Sequence, residues 1–175
     1  MSGLVVGGMV AGCGTKAHSE SAPAAKTNAA VFDKIDLCTT VAKSDFAAAL
    51  GEEVAPDPEV SGGIAQDDDT LKDCTVNGVS EKFYLFLTLQ RSPAGGRTQY
   101  DYDRSVAASA TAAPGAGGEA AFAASDDTEA HVEILDGQLV LRASFVYYYD
   151  GGTMTDKDAV VKRLSALTAK ISTKL

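Results

Sequence analysis

The sequence has no tryptophan, two histidines and three cysteines, and it contains no GxSxG, HExxH or CxxC motif. An enzyme site built on a nucleophile with its base, or on a metal, needs such residues at fixed spacings. His18 lies in a polar segment, and His131 lies on a predicted strand, where we expect a solvent-exposed or cross-strand role. Glu119, Asp101 and Asp103 are possible acids, but nothing in the sequence pairs them. We therefore expect no catalytic residues, no cofactor and no metal site.

Positive charge is scarce, with 15 Lys and Arg against 24 Asp and Glu and a net charge of −9. A protein that binds nucleic acid needs clustered Lys and Arg to neutralise phosphates, so we expect no nucleic-acid partner. The consecutive carboxylates Asp67, Asp68 and Asp69 lack the alternation and the glycine of an EF-hand loop. They indicate a solvated acidic loop.

Long apolar runs are absent as well. The first 12 residues carry no charge and are mostly apolar or small. This run is too short to cross a bilayer, which takes about 20 residues, and it fits the apolar region of a signal peptide. No Lys or Arg precedes Lys16, so the usual basic segment is missing. Either a basic segment lies upstream of this start, or the signal is a weak one.

The apolar run ends in Val10-Ala11-Gly12-Cys13, which resembles a bacterial lipobox. The resemblance implies that Cys13 carries a diacylglyceryl group and anchors the protein in the cell membrane, on its extracytoplasmic face. Two acyl chains hold a membrane stably, whereas one does so only marginally. We predict a signal peptide over 1–12, a flexible tether over 13–30 and one domain over 31–175. The alternative is a buried apolar N-terminal element with a free Cys13.

The remaining cysteines, Cys38 and Cys74, form an even pair once Cys13 is assigned to lipid. Disulfides persist in oxidising compartments, so we predict a Cys38–Cys74 bond. Closing this loop stabilises the fold by roughly 3 to 4 kcal/mol in the chain-entropy model. The alternative is two free buried thiols.

Three segments have the apolar spacing of helices. The first has Ser44 as its predicted N-cap, Gly51 as the residue after its end, and the apolar side chains Phe46, Ala49 and Leu50. The second runs from Thr98, its predicted N-cap, to about Ala110, with Tyr102, Val106 and Ser109 on one side. The third runs from Thr155 to Lys174, with the apolar face Val160, Leu164, Leu167 and Ile171.

Alternating apolar residues predict strands over Asp73–Val76, Lys82–Arg91, Ala120–Ala124, Glu129–Leu135 and Gln138–Tyr149. Asp136-Gly137 between the last two is typical of a type I′ hairpin turn. The order of elements predicts an α+β fold: an antiparallel sheet of about five or six strands with helices packed on one or both faces.

Several short motifs in the chain resemble motifs of secreted actinobacterial lipoproteins of unknown function. They are Ile35-Asp36-Leu37-Cys38-Thr39-Thr40, Asp45, Ala49-Leu50-Gly51, Cys74-Thr75-Val76 and Gly118-Glu119-Ala120-Ala121-Phe122. The resemblance covers about 31–175 and implies a tethered α+β domain without an established active site. Leu37 stands where this family usually has proline, and Val76 stands where an aromatic residue often follows the second cysteine.

The sequence favours a ligand- or partner-binding or sensing module of the cell envelope, with an unknown small molecule, lipid or protein as partner. Tyrosine combines apolar area with a polar group, so a possible binding surface comprises Tyr100, Tyr102, Tyr147, Tyr148 and Tyr149. Side chains alternate along a strand, so the last three cannot all point into the core. They could instead simply cover the rim of the sheet. A structural cell-envelope protein is the alternative function, and a hydrolase is the weaker one.

Overall fold

A computed structural model describes residues 29–56, 70–92, 95–148 and 153–175. The predicted signal peptide, Cys13, most of the predicted tether, the Asp67–Asp69 run and Tyr149 lie outside the described residues.

The domain is built on one six-stranded sheet in the order β1-β2-β6-β5-β4-β3. Each neighbouring pair of strands is antiparallel. The strands are β1 (Leu71–Asn77), β2 (Phe83–Arg91), β3 (Thr111–Ala112), β4 (Ala120–Ser125), β5 (Glu129–Asp136) and β6 (Leu139–Tyr147). The helices are α1 (Ala29–Lys34), α2 (Lys43–Leu50), α3 (Gly96–Val106) and α4 (Lys157–Ser172). The predicted α+β fold with an antiparallel sheet is confirmed.

The first face of the sheet carries the main hydrophobic core. One row across the strands on this face reads Cys74, Leu87, Ala143, Val132 and Ala123. Helices α2 and α4 pack against this core, and α4 contributes its predicted face of Val160, Leu164, Leu167 and Ile171. The 3.6-residue spacing of α4 therefore predicts correctly which side of the helix is buried.

Helix α2 begins at Lys43, with Ala42 as its N-cap, so the predicted N-cap Ser44 is wrong. The backbone N–H of Ala42 donates to Asp45 Oδ2 at 3.1 Å, which stabilises the start of the helix from inside its first turn. Gly51 ends the helix at φ 82°, a left-handed conformation that favours glycine, as predicted.

The Cys38–Cys74 disulfide is formed, with the two Cα atoms 5.4 Å apart. Cys74 lies fully buried in β1, and Cys38 lies in the segment before α2. The bond therefore ties the N-terminal part of the domain to the edge of the sheet.

Helix α1 has no counterpart among the predicted elements, and the predicted domain start at residue 31 falls inside it. It buries Phe32, and Lys72 Nζ donates to the backbone oxygens of Asp33 at 3.2 Å and Ile35 at 2.8 Å. A helix of six residues is too short to be stable alone, so these tertiary contacts must hold it.

Helix α3 differs from its prediction in both its start and its buried side. It begins at Gly96 instead of after Thr98, and Tyr100 is buried, whereas Tyr102 and Val106 are 62% and 63% exposed. A Cβ on Gly96 would lie 2.8 Å from the backbone oxygen of Gly137. The helix thus approaches the β5–β6 turn more closely than any side chain at position 96 allows.

The β5–β6 hairpin is confirmed, but its turn lies one residue further along the chain. Asp136 pairs with Leu139, so Gly137 and Gln138 are the turn residues. Only Gly137 of these two has a positive φ, at 61°, which is the pattern of a type II′ turn and not of the predicted type I′.

Candidate functional site

The second face of the sheet carries most of the polar and charged side chains of the strands. The register places on it Asp73, Thr75 and Asn77 of β1, Tyr84, Phe86, Thr88 and Gln90 of β2, Arg142, Ser144 and Val146 of β6, Glu129, His131 and Glu133 of β5, and Phe122 of β4. Helix α3 packs on the β5 and β6 part of this face. The side chains of β1 and β2 on it are all half-buried. We call those seven β1 and β2 side chains, together with Val146 and Tyr148, the open face.

Beneath α3 lies a small apolar cluster formed by Tyr100, Phe122, Leu135 and Val140. The rings of Tyr100 and Phe122 meet edge to face at 5.3 Å, a favourable aromatic geometry. Burial is the main reason that the pKa of Tyr100 is raised above its usual value. Because Tyr100 is only 1% exposed, its predicted place on a binding surface is wrong.

Glu133 is a buried carboxyl group on β5, next to this cluster and 1% exposed. Burial, followed by the negative charge of Asp103 on α3, raises the pKa of Glu133 to about 8, and Arg142 opposes this rise only in part. A hydrogen bond to Asp103 also favours the protonated acid. Gln99 Nε2 donates to both carboxylate oxygens of Asp103, at 2.9 and 3.0 Å, and so orients this partner.

Glu133 Oε1 is buried without a hydrogen-bond partner. Because Glu133 is buried under a helix, its interaction with Asp103 lies inside the fold.

Arg142 of β6 is the centre of a second polar cluster on this face. Its Nη2 donates to Glu129 Oε1 at 2.8 Å and lies 3.1 Å from His131 Nδ1, and its Nε donates to Ser144 Oγ at 3.2 Å. His131 and Arg142, with Ser144, hold the pKa of Glu129 at about 2 against the opposing effect of burial.

The contact with Arg142 bears on which ring nitrogen of His131 carries the proton. An arginine side chain is always protonated and can only donate, so Nδ1 of His131 accepts from it, and the ring proton lies on Nε2. His131 Nδ1 is also 3.5 Å from Glu129 Oε1, and it can donate to that oxygen only if it carries a proton. Nδ1 cannot serve both neighbours at once: when it accepts from Arg142 it does not donate to Glu129, which then has Arg142 Nη2 at 2.8 Å as its charged partner.

A pocket of about 70 Å³ adjoins this cluster and is lined by Ala108, Ala124, Ser125, Asp126, Glu129 and His131. Asp126 Oδ1 accepts from the backbone N–H groups of Thr128 at 2.7 Å and Glu129 at 2.8 Å, and these bonds lower the pKa of Asp126. The pocket is too small for more than a few ligand atoms.

The open face combines aromatic and polar side chains. The rings of Tyr84 and Tyr148 lie 4.8 Å apart, and the Tyr148 hydroxyl donates to Asn77 Oδ1 at 3.2 Å. Asp73 lies in the same cross-strand row as Thr88 and Arg142, and its Oδ1 is buried without a hydrogen-bond partner. This face thus offers flat ring area surrounded by hydrogen-bonding groups.

The predicted tyrosines that lie within the described residues do not share one surface. Tyr147 points to the first face and packs against Phe83 and Phe145, with ring centroids 5.7 and 5.8 Å apart. Tyr148 belongs to the open face, and Tyr102 is exposed on the outer side of α3.

The sequence prediction missed Glu133, Arg142 and Asp73. One signal was visible in the sequence: Glu129, His131 and Glu133 alternate along one strand, so all three must share a face. That row of polar groups already pointed to a charged face opposite the apolar one.

Among the residues that the structure describes, no group of three or more His, Cys, Asp or Glu side chains is arranged to hold a metal ion. No helix in the same residues is long and apolar enough to cross a membrane.

No family model, no curated protein and no solved structure matches the chain. The resemblance to actinobacterial lipoproteins therefore stays a prediction.

Proposed function

We propose that the chain is a lipid-anchored binding module on the extracytoplasmic face of the cell membrane. The lipobox at Cys13 supports the anchor. The Cys38–Cys74 bond supports the compartment, because disulfides are rare where thiols are kept reduced.

The open face is the proposed binding surface, and the Tyr84–Tyr148 ring pair is the observation that carries the proposal. Tyr148 is 43% exposed, although a large aromatic side chain contributes more to stability when it is buried. Paired rings that stay accessible on a sheet offer a ligand apolar area at little cost in side-chain entropy.

The chemistry of this face favours a neutral, hydroxyl-rich chain such as an oligosaccharide. The C–H faces of sugar rings fit flat aromatic rings, and sugar hydroxyls can bond to Asn77, Thr88 and Gln90. The carboxylate of Asp73 has one oxygen without a donor, which a hydroxyl of the ligand could supply after a small rotation. Arg142 is already paired with Glu129, so no unpaired positive charge of that cluster attracts an anion.

Binding to an array of defined neutral, amino and acidic oligosaccharides, with titration calorimetry on the best one, tests the ligand class. The full chain carries one of two matched changes, Tyr148→Ala on the open face or Tyr102→Ala on the outer side of α3. We expect Tyr148→Ala to weaken binding by about 3- to 10-fold, as loss of one ring contact implies, and Tyr102→Ala to leave it unchanged. Equal affinities for both variants, or no bound oligosaccharide, would contradict the proposed ligand.

The anchor is tested separately by the intact mass of the protein taken from membranes. We expect a diacylglyceryl mass on Cys13 and alkylation of Cys38 and Cys74 only after reduction. An unlipidated full-length mass would refute the proposed location without bearing on the open face.

A further inference from the structure

Helix α3 is attached to the sheet by few apolar contacts. Gly96 and Tyr100 are its buried residues. The cluster below it consists of Tyr100, Phe122, Leu135 and Val140, with three partly buried alanines around it. A single polar contact between α3 and the sheet can therefore change how firmly the helix is docked.

The group in question is Glu133 on β5, which is 1% exposed with Oε1 unpartnered and interacts with Asp103 on α3. Arg142 lies directly across from Glu133 on β6, but its Nη2 and Nε donate to Glu129 and Ser144. Phe122 lies opposite Glu133 on β4 and brings no charge. His131 shares the face two residues earlier on β5, and Tyr100 is the other titratable α3 group that interacts with Glu133.

An ionised Glu133 would therefore lie buried beside a second carboxylate. Burying a charge without a partner is costly, and a neighbouring like charge adds to the cost. A protonated Glu133 avoids both effects and gains a hydrogen bond to Asp103.

We propose that protonation of the buried Glu133 side chain, whose Oε1 has no hydrogen-bond partner, holds α3 against the sheet, so that α3 is a flap which loosens when Glu133 loses its proton. Opening the flap uncovers the apolar cluster around Tyr100 and extends the open face. This device does not depend on which ligand the open face binds.

The direction of the pH effect follows from proton binding in the two states. In the docked state the pKa of Glu133 is about 8, and in the released state it returns towards the ordinary value of 4.5. Between these two values the docked state binds more protons, so docking weakens as the pH rises. The equilibrium constant for opening then rises by at most about 10-fold per pH unit and levels off above about pH 8.

Hydrogen–deuterium exchange of the full chain at pH 5.5 and 7.5 tests the flap. The opening constant of the α3 amides is compared with that of the α4 amides, because global unfolding would release both helices together. We expect the α3 constant of the unsubstituted protein to rise at least 10-fold over this interval relative to α4. In Glu133→Gln, which keeps a donor for Asp103 but cannot ionise, we expect a rise of less than 2-fold.

Two further variants keep the test decisive. Glu119→Gln removes an exposed carboxylate and should keep the full pH response. Asp103→Asn removes the like charge from the helix side and should reduce the response even if Glu133→Gln fails to fold. The proposal would be overturned if the α3 opening constant did not change with pH. It would also be overturned if this constant changed as much in Glu133→Gln or in Asp103→Asn as in the unsubstituted protein.

Discussion

The disulfide allows the most quantitative prediction from this structure. Cys38 and Cys74 are 36 residues apart, and the chain-entropy model then gives a stabilisation of about 3.8 kcal/mol at 25 °C. For a domain of this size a loss of that magnitude lowers the melting temperature by roughly 8 to 15 °C. Reduction should therefore leave a folded but much less stable protein.

Urea unfolding of the oxidised and the reduced protein measures this loss. Reduction removes the cross-link but keeps both sulfur atoms in place, so it isolates the loop-closure effect from the packing effect. The double variant Cys38→Ser with Cys74→Ala removes the buried sulfur of Cys74 as well, and we expect it to lose about 1 kcal/mol more than reduction does. The slope of the unfolding free energy against urea should also rise, because the reduced chain unfolds further.

A reduced protein whose stability lies within about 1 kcal/mol of the oxidised one would refute this reasoning. The bond would then join two segments that stay close in the unfolded chain. Exchange measurements should show the loss in all amides that exchange through global unfolding, because the loop-closure effect acts on the unfolded chain.

Two more predictions concern single side chains. The folded pKa of Glu129, about 2, lies below the ordinary value of 4.5, so its stabilising effect is present above about pH 4.5 and is lost as the pH falls towards 2. The free energy of unfolding falls on acidification, and Glu129→Gln should make this fall smaller by about 1 to 2 kcal/mol, after allowance for the partial exposure of Glu129. If the variant showed the same dependence of unfolding free energy on acid pH, the role of Arg142 would be contradicted. Gly96→Ala should destabilise the fold by about 1 to 3 kcal/mol in urea, because its Cβ would meet Leu135 Cδ1 and the Gly137 backbone oxygen, both at 2.8 Å. Ser105→Ala on the exposed side of α3 serves as the control and should change stability by less than about 0.5 kcal/mol; a Gly96 variant equal to it would refute the close approach.

Periodicity predicted the elements whose burial follows a simple pattern. The face of α4, the β5–β6 hairpin and the burial of Leu85, Leu87 and Leu89 all follow from spacing in the chain. Pairing the two cysteines by elimination also gave the correct disulfide.

The failures have physical causes that the sequence does not display. In α3, Tyr102 and Val106 are spaced like an apolar face, but the helix is docked through the close approach at Gly96 and through Tyr100. Glu133 and Asp103 lie in different elements, and nothing in the sequence around either residue indicates that they interact. Helix α1 depends on Lys72, a residue far along the chain.

The two faces of the sheet explain why this domain can hold unsatisfied polar atoms at all. The first face supplies an apolar core with two helices, and the disulfide adds several kcal/mol in the chain-entropy model. On the second face, Asp73 Oδ1 and Glu133 Oε1 each lack a partner, and an unmade buried hydrogen bond costs about 1 to 3 kcal/mol. Apolar replacements of similar shape at these two positions would avoid that cost without loss of the core. The second face is therefore less stable than it would be with apolar side chains at these two positions, so the stability of the domain rests mainly on the first face and the disulfide.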